Sequence, residues 1–419
     1  MTSIKRYIFI IIGLVVFLKF ITYASCEDNP GANSGASAMP PLEFGWGTPP
    51  RSLVHARNVQ SLISAYCWGT DRLIEHSLSQ GQQGYKGLLA RLAKAPVDYY
   101  VSAFIVSLEH EVGHLESARI ADSHDNSLVI PFDSGHNFGL EMAPYIYDFN
   151  NMNPGDQLQI VSDGTTALQA GLDDMTRREF GCGAANHWSF YLIYLERKND
   201  ISTYIFDTAR PIRRDNSPFS GSSDIMEYTD AYAIYSNQQI SEIHDKLVLG
   251  ALYNLLDPQV PIAVYQIFNY FAYGVEYSKV PMFAVTENLK IMPGTNFWLA
   301  RNGPQYRQNL YLTDGQNKYF TQISASYGDM GQWTLENHWT IHHITNAVDL
   351  NLFGGIWKQR LGTTPGALHI GSALGIGGVY NINSRFYLSA DGGYKTWGSL
   401  LGYEFDESPF INGFVGIRL

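Results

Sequence analysis

From 281 to 419 the chain repeats one pattern, in which runs of about ten alternating polar and apolar residues are separated by turn formers. Val348-Asp349-Leu350-Asn351-Leu352 alternates cleanly, as does Phe386-Tyr387-Leu388-Ser389-Ala390-Asp391. The stretch 367–382 is a Gly-rich alternating run, and 332–345 carries Trp333, Trp339, His338, His342 and His343. Thr313-Asp314-Gly315-Gln316, Gly328-Asp329-Met330-Gly331, Gly362-Thr363-Thr364-Pro365-Gly366 and Asn381-Ile382-Asn383-Ser384 read as the turns between them. A period of two sends successive side chains to opposite faces, so this region is expected to form roughly eight antiparallel strands, each with one apolar face. In the final run, 410–419, one face carries Ile411, Gly413, Val415, Ile417 and Leu419, and the other Asn412, Phe414, Gly416 and Arg418.

A terminal strand of this kind resembles the last strand of bacterial outer-membrane β-barrels, which usually end on an aromatic residue where this chain has Leu419. The resemblance implies a small barrel of about eight strands, the smallest number that closes in a membrane. It also implies interfacial girdles of Tyr and Trp, and contact with outer-membrane lipid. The same alternation suits a soluble sandwich, which stays open as an alternative.

The first half reads differently. Lys5-Arg6, an apolar run over 7–20 and the small residues Ala24-Ser25 make 1–25 a secretory signal peptide. Ala24-Ser25-Cys26 also resembles a bacterial lipobox, which would make Cys26 a lipidated N-terminus. The segment 26–53, rich in Gly, Pro, Ser and Asn, reads as a linker. Apolar residues then recur at helical spacing over 54–75, 85–94, 97–120, 165–180, 186–196, 223–235, Ile240–Leu255 and 260–273. The expected fold class is therefore α+β, with a mainly helical domain over 54–280 and a β-barrel-like domain over 281–419. Cys67 and Cys182 are either one disulfide, as an oxidising periplasm permits, or two buried thiols.

The 97–120 helix contains His110-Glu111-Val112-Gly113-His114, an HExxH pentad. Helical spacing puts both imidazoles on one face, close enough to share one Zn²⁺, with Glu111 placed to act as general base on a water. A catalytic zinc takes three protein ligands and leaves a fourth position open, so a third ligand must come from elsewhere. The extended pentad HExxHxxGxxH is absent, because Ser117 and Ile120 stand at its Gly and last His positions. The pentad together with Asp163 to Asp174 resembles the gluzincin metallopeptidases, in which a second helix supplies a Glu ligand and an Asp one turn later. That resemblance places the Glu at Gln169 if Asp173 is the supporting Asp; Asp173, Asp174 or Asp163 could also bind directly. His136, Glu141, His187, His338, His342 and His343 are weaker candidates.

A net charge of −11 and the absence of any Lys/Arg-rich run exclude nucleic acid as an expected partner. The expected activity is a zinc-dependent hydrolase of the bacterial cell envelope. It would be a peptidase acting on a peptide or lipid-linked substrate, held in the outer membrane with a periplasmic domain. The alternative is a non-enzymatic envelope β-barrel in which the pentad is a relic or a structural site.

Overall fold

The computed structural model describes residues 42–47, 52–77, 85–120, 154–182, 185–208, 224–314, 318–345, 347–360, 367–383, 386–401, 403 and 406–417. The signal-peptide segment, Cys26, His136, Glu141 and Leu419 lie outside the described residues. Seven helices are described: α1 (Ser52–Ser77), α2 (Tyr85–Ile120), α3 (Pro154–Cys182), α4 (Trp188–Thr208), α5 (Asp224–Ser236), α6 (Ile240–Leu255) and α7 (Gln259–Tyr273). Strand β1 (Leu42–Gly47) precedes them, and β2 (Asn186–His187) pairs with β3 (Tyr277–Ser278) as a two-stranded ribbon. The remainder is strands: β4 (Phe283–Thr286), β5 (Leu289–Trp298), β6 (Gln305–Asp314), β7 (Tyr319–Gly328), β8 (Trp333–Thr345), β9 (Val348–Arg360), β10 (Leu368–Asn381), β11 (Phe386–Lys395) and β12 (Ser408–Ile417). The protein is α+β, as the two periodicities predict.

One helix runs through Pro96, where the sequence pattern separates two. Proline donates no backbone hydrogen bond. Across that gap Lys94 Nζ bonds Asp98 Oδ2 at 2.7 Å and pairs with Asp71 of α1 at 3.0 Å, which holds the helix together.

The main sheet is antiparallel in the order β1-β12-β11-β10-β9-β8-β7-β6-β5-β4. It has ten strands, nine of them (β4–β12) in 281–419 where roughly eight are expected, and among the described residues it does not close strand to strand. The additional strand at one edge is β1, which pairs with β12 from Leu42↔Ile417 to Gly47↔Asn412. Open edges carry backbone groups that need partners, and here helices provide them. At β1 the amides of Glu43 and Gly45 donate to Ser61 Oγ (2.8 Å) and Asn58 Oδ1 (2.9 Å) of α1. β4 pairs only with the start of β5, as far as Ile291. Beyond it, the Thr295 amide donates to Asp257 Oδ2 at 3.1 Å, and the Thr295 carbonyl accepts from Lys198 Nζ of α4.

The two faces of the sheet are inverted relative to a water-soluble sandwich. Outward-facing residues include Ile323, Leu335, Ile356, Ile370, Leu374, Ile376 and Ile411, all exposed. The concave face carries Arg307, Asn309, Gln322, Ser324, Glu336, Gln359, Lys395 and Asn412, all buried. The C-terminal half of α3 fills that concave face. On one side Asp173 meets Arg307 (3.3 Å), Asn309 (3.1 Å) and Gln322 (2.9 Å), and Arg177 reaches His338 at 3.0 Å. On the other side Arg178 pairs with Glu43 of β1 at 2.6 Å, while Asp174 pairs with Arg57, whose guanidinium lies 4.0 Å from the Phe414 ring centre. The sheet therefore curls round a charged helix, and every buried charge named here has a partner, as burial demands.

A shared apolar core binds the helices to the sheet, with Ile63, Val106, Leu168, Tyr194 and Ile262 packed into one cluster with Met292, Tyr311 and Phe320. Cys67 lies in that cluster as a free thiol, so of its two expected states it takes the unpaired one.

Candidate metal centre

His110 and His114 sit one turn apart on α2, both buried, with their rings crossed at 73° and their Nε2 atoms 3.0 Å apart. Two glycines let this face approach α3. A Cβ on Gly113 would lie 2.5 Å from the Asp163 carbonyl oxygen and 2.9 Å from Ala167 Cβ. A Cβ on Gly164 would lie 2.6 Å from His110 Nε2 and closer still to His114 Nε2. Gly164 thus leaves open the space into which both Nε2 atoms point.

The third group to enter that space is Asp224, the first residue of α5. Its Oδ2 lies 2.8 Å from His110 Nε2 and 3.3 Å from His114 Nε2. The remaining ring nitrogens face other acceptors, one within a hydrogen bond and one at ion-pair distance only. His114 Nδ1 is 2.6 Å from the Ile160 carbonyl oxygen, which can only accept, so Nδ1 carries the proton. His110 Nδ1 faces Asp200 Oδ2 of α4 at 3.3 Å. With Nδ1 protonated, a neutral ring presents a lone pair at Nε2; the Ile160 carbonyl sets this tautomer for His114, and for His110 the nearby Asp200 carboxylate favours it. Two lone pairs and a carboxylate oxygen then converge, an arrangement favourable only around a cation, whether proton or metal ion. Tetrahedral zinc with bonds of 2.0–2.1 Å sets its donors ~3.3 Å apart. The observed separations of 2.8, 3.0 and 3.3 Å need only a small expansion to reach it. The donor set, two imidazoles and one carboxylate with further positions free, is that of a catalytic zinc.

Electrostatics follow from this crowding. Burial opposes ionisation of Asp224, but the His114 and His110 rings outweigh it and hold the carboxyl well below its usual range. Burial likewise disfavours a charged His114, and the Asp224 carboxylate overcomes this and raises it. Glu111 is pushed up by burial, against the lowering influence of His114 and His110. Glu227, one turn after Asp224, is pushed up to about 7, first by burial and then by the Asp224 charge.

The structure brings His110, Glu111 and His114 together and leaves the expected third ligands out. Asp173 lies nine positions beyond Gly164 on α3, about 14 Å along the helix, where Arg307, Asn309 and Gln322 hold it against the sheet. The Gln169 side-chain amide donates to the Arg197 carbonyl at 2.9 Å. Asp174 is enclosed by Arg57, Arg177 and Arg178. Asp163 contributes its backbone to the contact with Gly113, and its carboxylate accepts from Gln159 at 2.6 Å. Among the weaker candidates, His187 caps α4, accepting from the Ser189 hydroxyl (2.9 Å) and amide (3.4 Å). His338, His342 and His343 belong to β8, away from this centre. Sequence reasoning missed Asp224 because an acid in the first turn of a helix is ordinary there; Glu242 holds the same kind of position on α6.

No family model matches the chain, and no curated protein matches it. Among solved structures the chain is similar to that described as "NanC porin structure in rhombohedral crystal form", at 12% identity and a TM-score of 0.26. The match covers 33% of this chain and 76% of that one. A likeness at this level carries no argument about the protein.

Proposed function

We propose that this protein is a metal-dependent hydrolase of the bacterial cell envelope, with His110, His114 and Asp224 as the ligands of a Zn²⁺ ion and Glu111 as general base. The observation that carries the reading is the convergence of two Nε2 lone pairs and one carboxylate oxygen beside a raised Glu111. When bound there, zinc would supply Lewis-acid polarisation of a scissile carbonyl and would acidify water. The chain's own residues do the rest. The Ile160 carbonyl holds His114 in the tautomer that leaves Nε2 free, and the Asp200 carboxylate, 3.3 Å from His110 Nδ1, favours the same tautomer there. Glu111 follows His110 in the chain, and a carboxylate whose affinity for protons burial has raised is suited to accept a proton from water and return it to a leaving group. A peptide or a lipid-linked amide or ester is the substrate class this chemistry serves.

The outer membrane is the proposed location. An apolar exposed face, a polar interior and strands of 10–14 residues from β5 to β12 together support it. Satisfied edges support it too, because lipid offers no hydrogen bonds.

Elemental analysis of detergent-purified protein is the test. Wild type should carry about one zinc per chain, and Asp224→Ala and His110→Ala/His114→Ala should carry none. Glu111→Gln should keep the metal and lose hydrolysis of a fluorogenic peptide mixture and of a lipopeptide. Zinc retained in full by Asp224→Ala would refute the ligand set. Zinc present with no wild-type hydrolysis above background would leave a structural metal site in a non-enzymatic envelope protein, and hydrolysis unchanged in Glu111→Gln would refute the general-base role.

A further inference from the structure

The open edge of the sheet at β5 is where the wall of this molecule changes from strand to helix. α6 and α7 run down that edge in sequence. Near one rim Tyr306 donates to the Lys246 carbonyl at 2.7 Å; midway Thr295 Oγ1 donates to the Tyr253 carbonyl at 3.1 Å; further down Ile262 packs in one cluster with Met292. Close packing makes the two elements one surface, since a Cβ on Gly250 would run into the Phe297 ring.

The outer side of this helical stretch contains no charge. From Leu247 to Val275 the only charged residue is Asp257, which is buried and pairs inward with Lys198 at 2.9 Å. Every exposed residue from Leu249 to Tyr273 is aliphatic or aromatic, with Leu249, Leu252, Leu256, Val264 and Phe268 each about half exposed or more. Just above, the pattern switches, and the exposed residues of the first turns of α6 are Ile240, Ser241, Glu242 and Asp245, three of them polar or charged. The switch falls at Lys246, which pairs at 2.8 Å with Asp329 in the turn between β7 and β8. The polar-to-apolar boundary on the helix therefore coincides with the rim of the sheet, although neither element dictates the other's sequence.

On the strength of the membrane reading above, we propose that α6 and α7 form part of the bilayer-facing wall, with acyl chains against Leu249, Leu252, Leu256, Val264 and Phe268 as they lie against Ile376 on β10. Leu247 to Tyr273 is about 40 Å of helix at 1.5 Å per residue, enough to cross a hydrocarbon core of about 30 Å despite the 50° bend between α6 and α7. The interruption at Asp257-Pro258 is tolerable at that depth because Asp257 faces the protein, accepting from the Thr295 and Gln259 amides. A soluble neighbour is the poorer occupant, because the polar-to-apolar switch on α6 falls level with the β7–β8 turn that Lys246 reaches.

The test uses the full chain with Cys26→Ser and Cys182→Ser, keeping buried Cys67, and single cysteines at 252, 268, 376 and 242 labelled with bimane. The variants are reconstituted in phosphatidylcholine vesicles with or without brominated acyl chains. Emission at 252 and 268 should fall with brominated lipid as far as at 376, while 242 is unaffected and is quenched by aqueous iodide. Quenching by brominated lipid at 376 but by iodide at 252 and 268 would overturn the helical wall and leave the membrane-embedded sheet standing. Iodide quenching at 376 as well would overturn both. Leu256→Cys and Val264→Cys replace either helix position if circular dichroism shows that variant misfolded.

Discussion

Gly164→Ala separates a metal site from an ordinary helix–helix contact, because overpacking lowers stability in both but lowers zinc affinity only in the first. Gly164 is interior to α3, where glycine costs roughly 0.5–1 kcal/mol relative to alanine. If the space beside it were open, alanine would stabilise the protein by that amount. The structure predicts the reverse. The added Cβ would sit 2.6 Å from His110 Nε2 and nearer to His114 Nε2, against ~3.5 Å for a relaxed contact. Both ligand atoms must therefore retreat by roughly 1 Å, whereas metal–ligand distances tolerate about 0.2 Å. Zinc affinity should fall at least about 100-fold, or about 2.7 kcal/mol. The metal-free protein should lose about 1–3 kcal/mol through overpacking. Competition titration against a chromophoric chelator reads the first effect, and denaturant unfolding in detergent reads the second. Gly181→Ala is the control, since its Cβ would meet Phe320 at an ordinary 3.5 Å on the same helix; zinc binding there should be unchanged. Wild-type zinc affinity in a folded Gly164→Ala protein would refute the assignment of that space to a metal.

Two further outcomes follow from the interior. Arg307→Ala leaves Asp173 and Glu336 buried without their main cation and should cost about 3–5 kcal/mol in unfolding titrations; a loss below about 1 kcal/mol would show that water or rearrangement replaces the guanidinium. Glu227 has a folded value of about 7 against an ordinary 4.5, so its protonated form stabilises the fold below about pH 4.5, and that contribution is lost as pH rises through 7. Melting of metal-free Glu227→Gln should accordingly rise relative to wild type between pH 5 and pH 8, and a constant difference would contradict the burial of this carboxyl.

Much of the architecture is legible in the sequence because it depends on local periodicity. The α6 helix spans the residues its pattern predicts, and the turn signals at 328–331 and 381–384 fall between strands. Along β12 the face bearing Ile411 and Val415 is exposed, and the face bearing Asn412 and Phe414 is buried, as alternation requires. What could not be read is how the sheet ends. Leu42–Gly47 looks like linker because two of its six residues are glycine, and its strand identity comes from β12 on one side and from Asn58 and Ser61 on the other. Closure by helices was equally hidden, since it depends on Asp257 and Lys198 meeting Thr295 across the fold.

The candidate site divides in the same way. His110, Glu111 and His114 are neighbours whenever 110–114 is helical, because an i, i+4 pair shares a face in any α-helix. The sequence by itself therefore determined the pair of imidazoles, the adjacent carboxylate and the two-faced strands. Tertiary structure alone decided that Asp224, 114 residues from His110, would lie against the two imidazoles. It also turned Asp173 to Arg307 and placed a charged helix inside the curl of the sheet. The physical reason is range: backbone periodicity acts over a few residues, whereas a third ligand, a buried ion pair or a covered sheet edge exists only once packing has brought distant segments to within hydrogen-bonding distance.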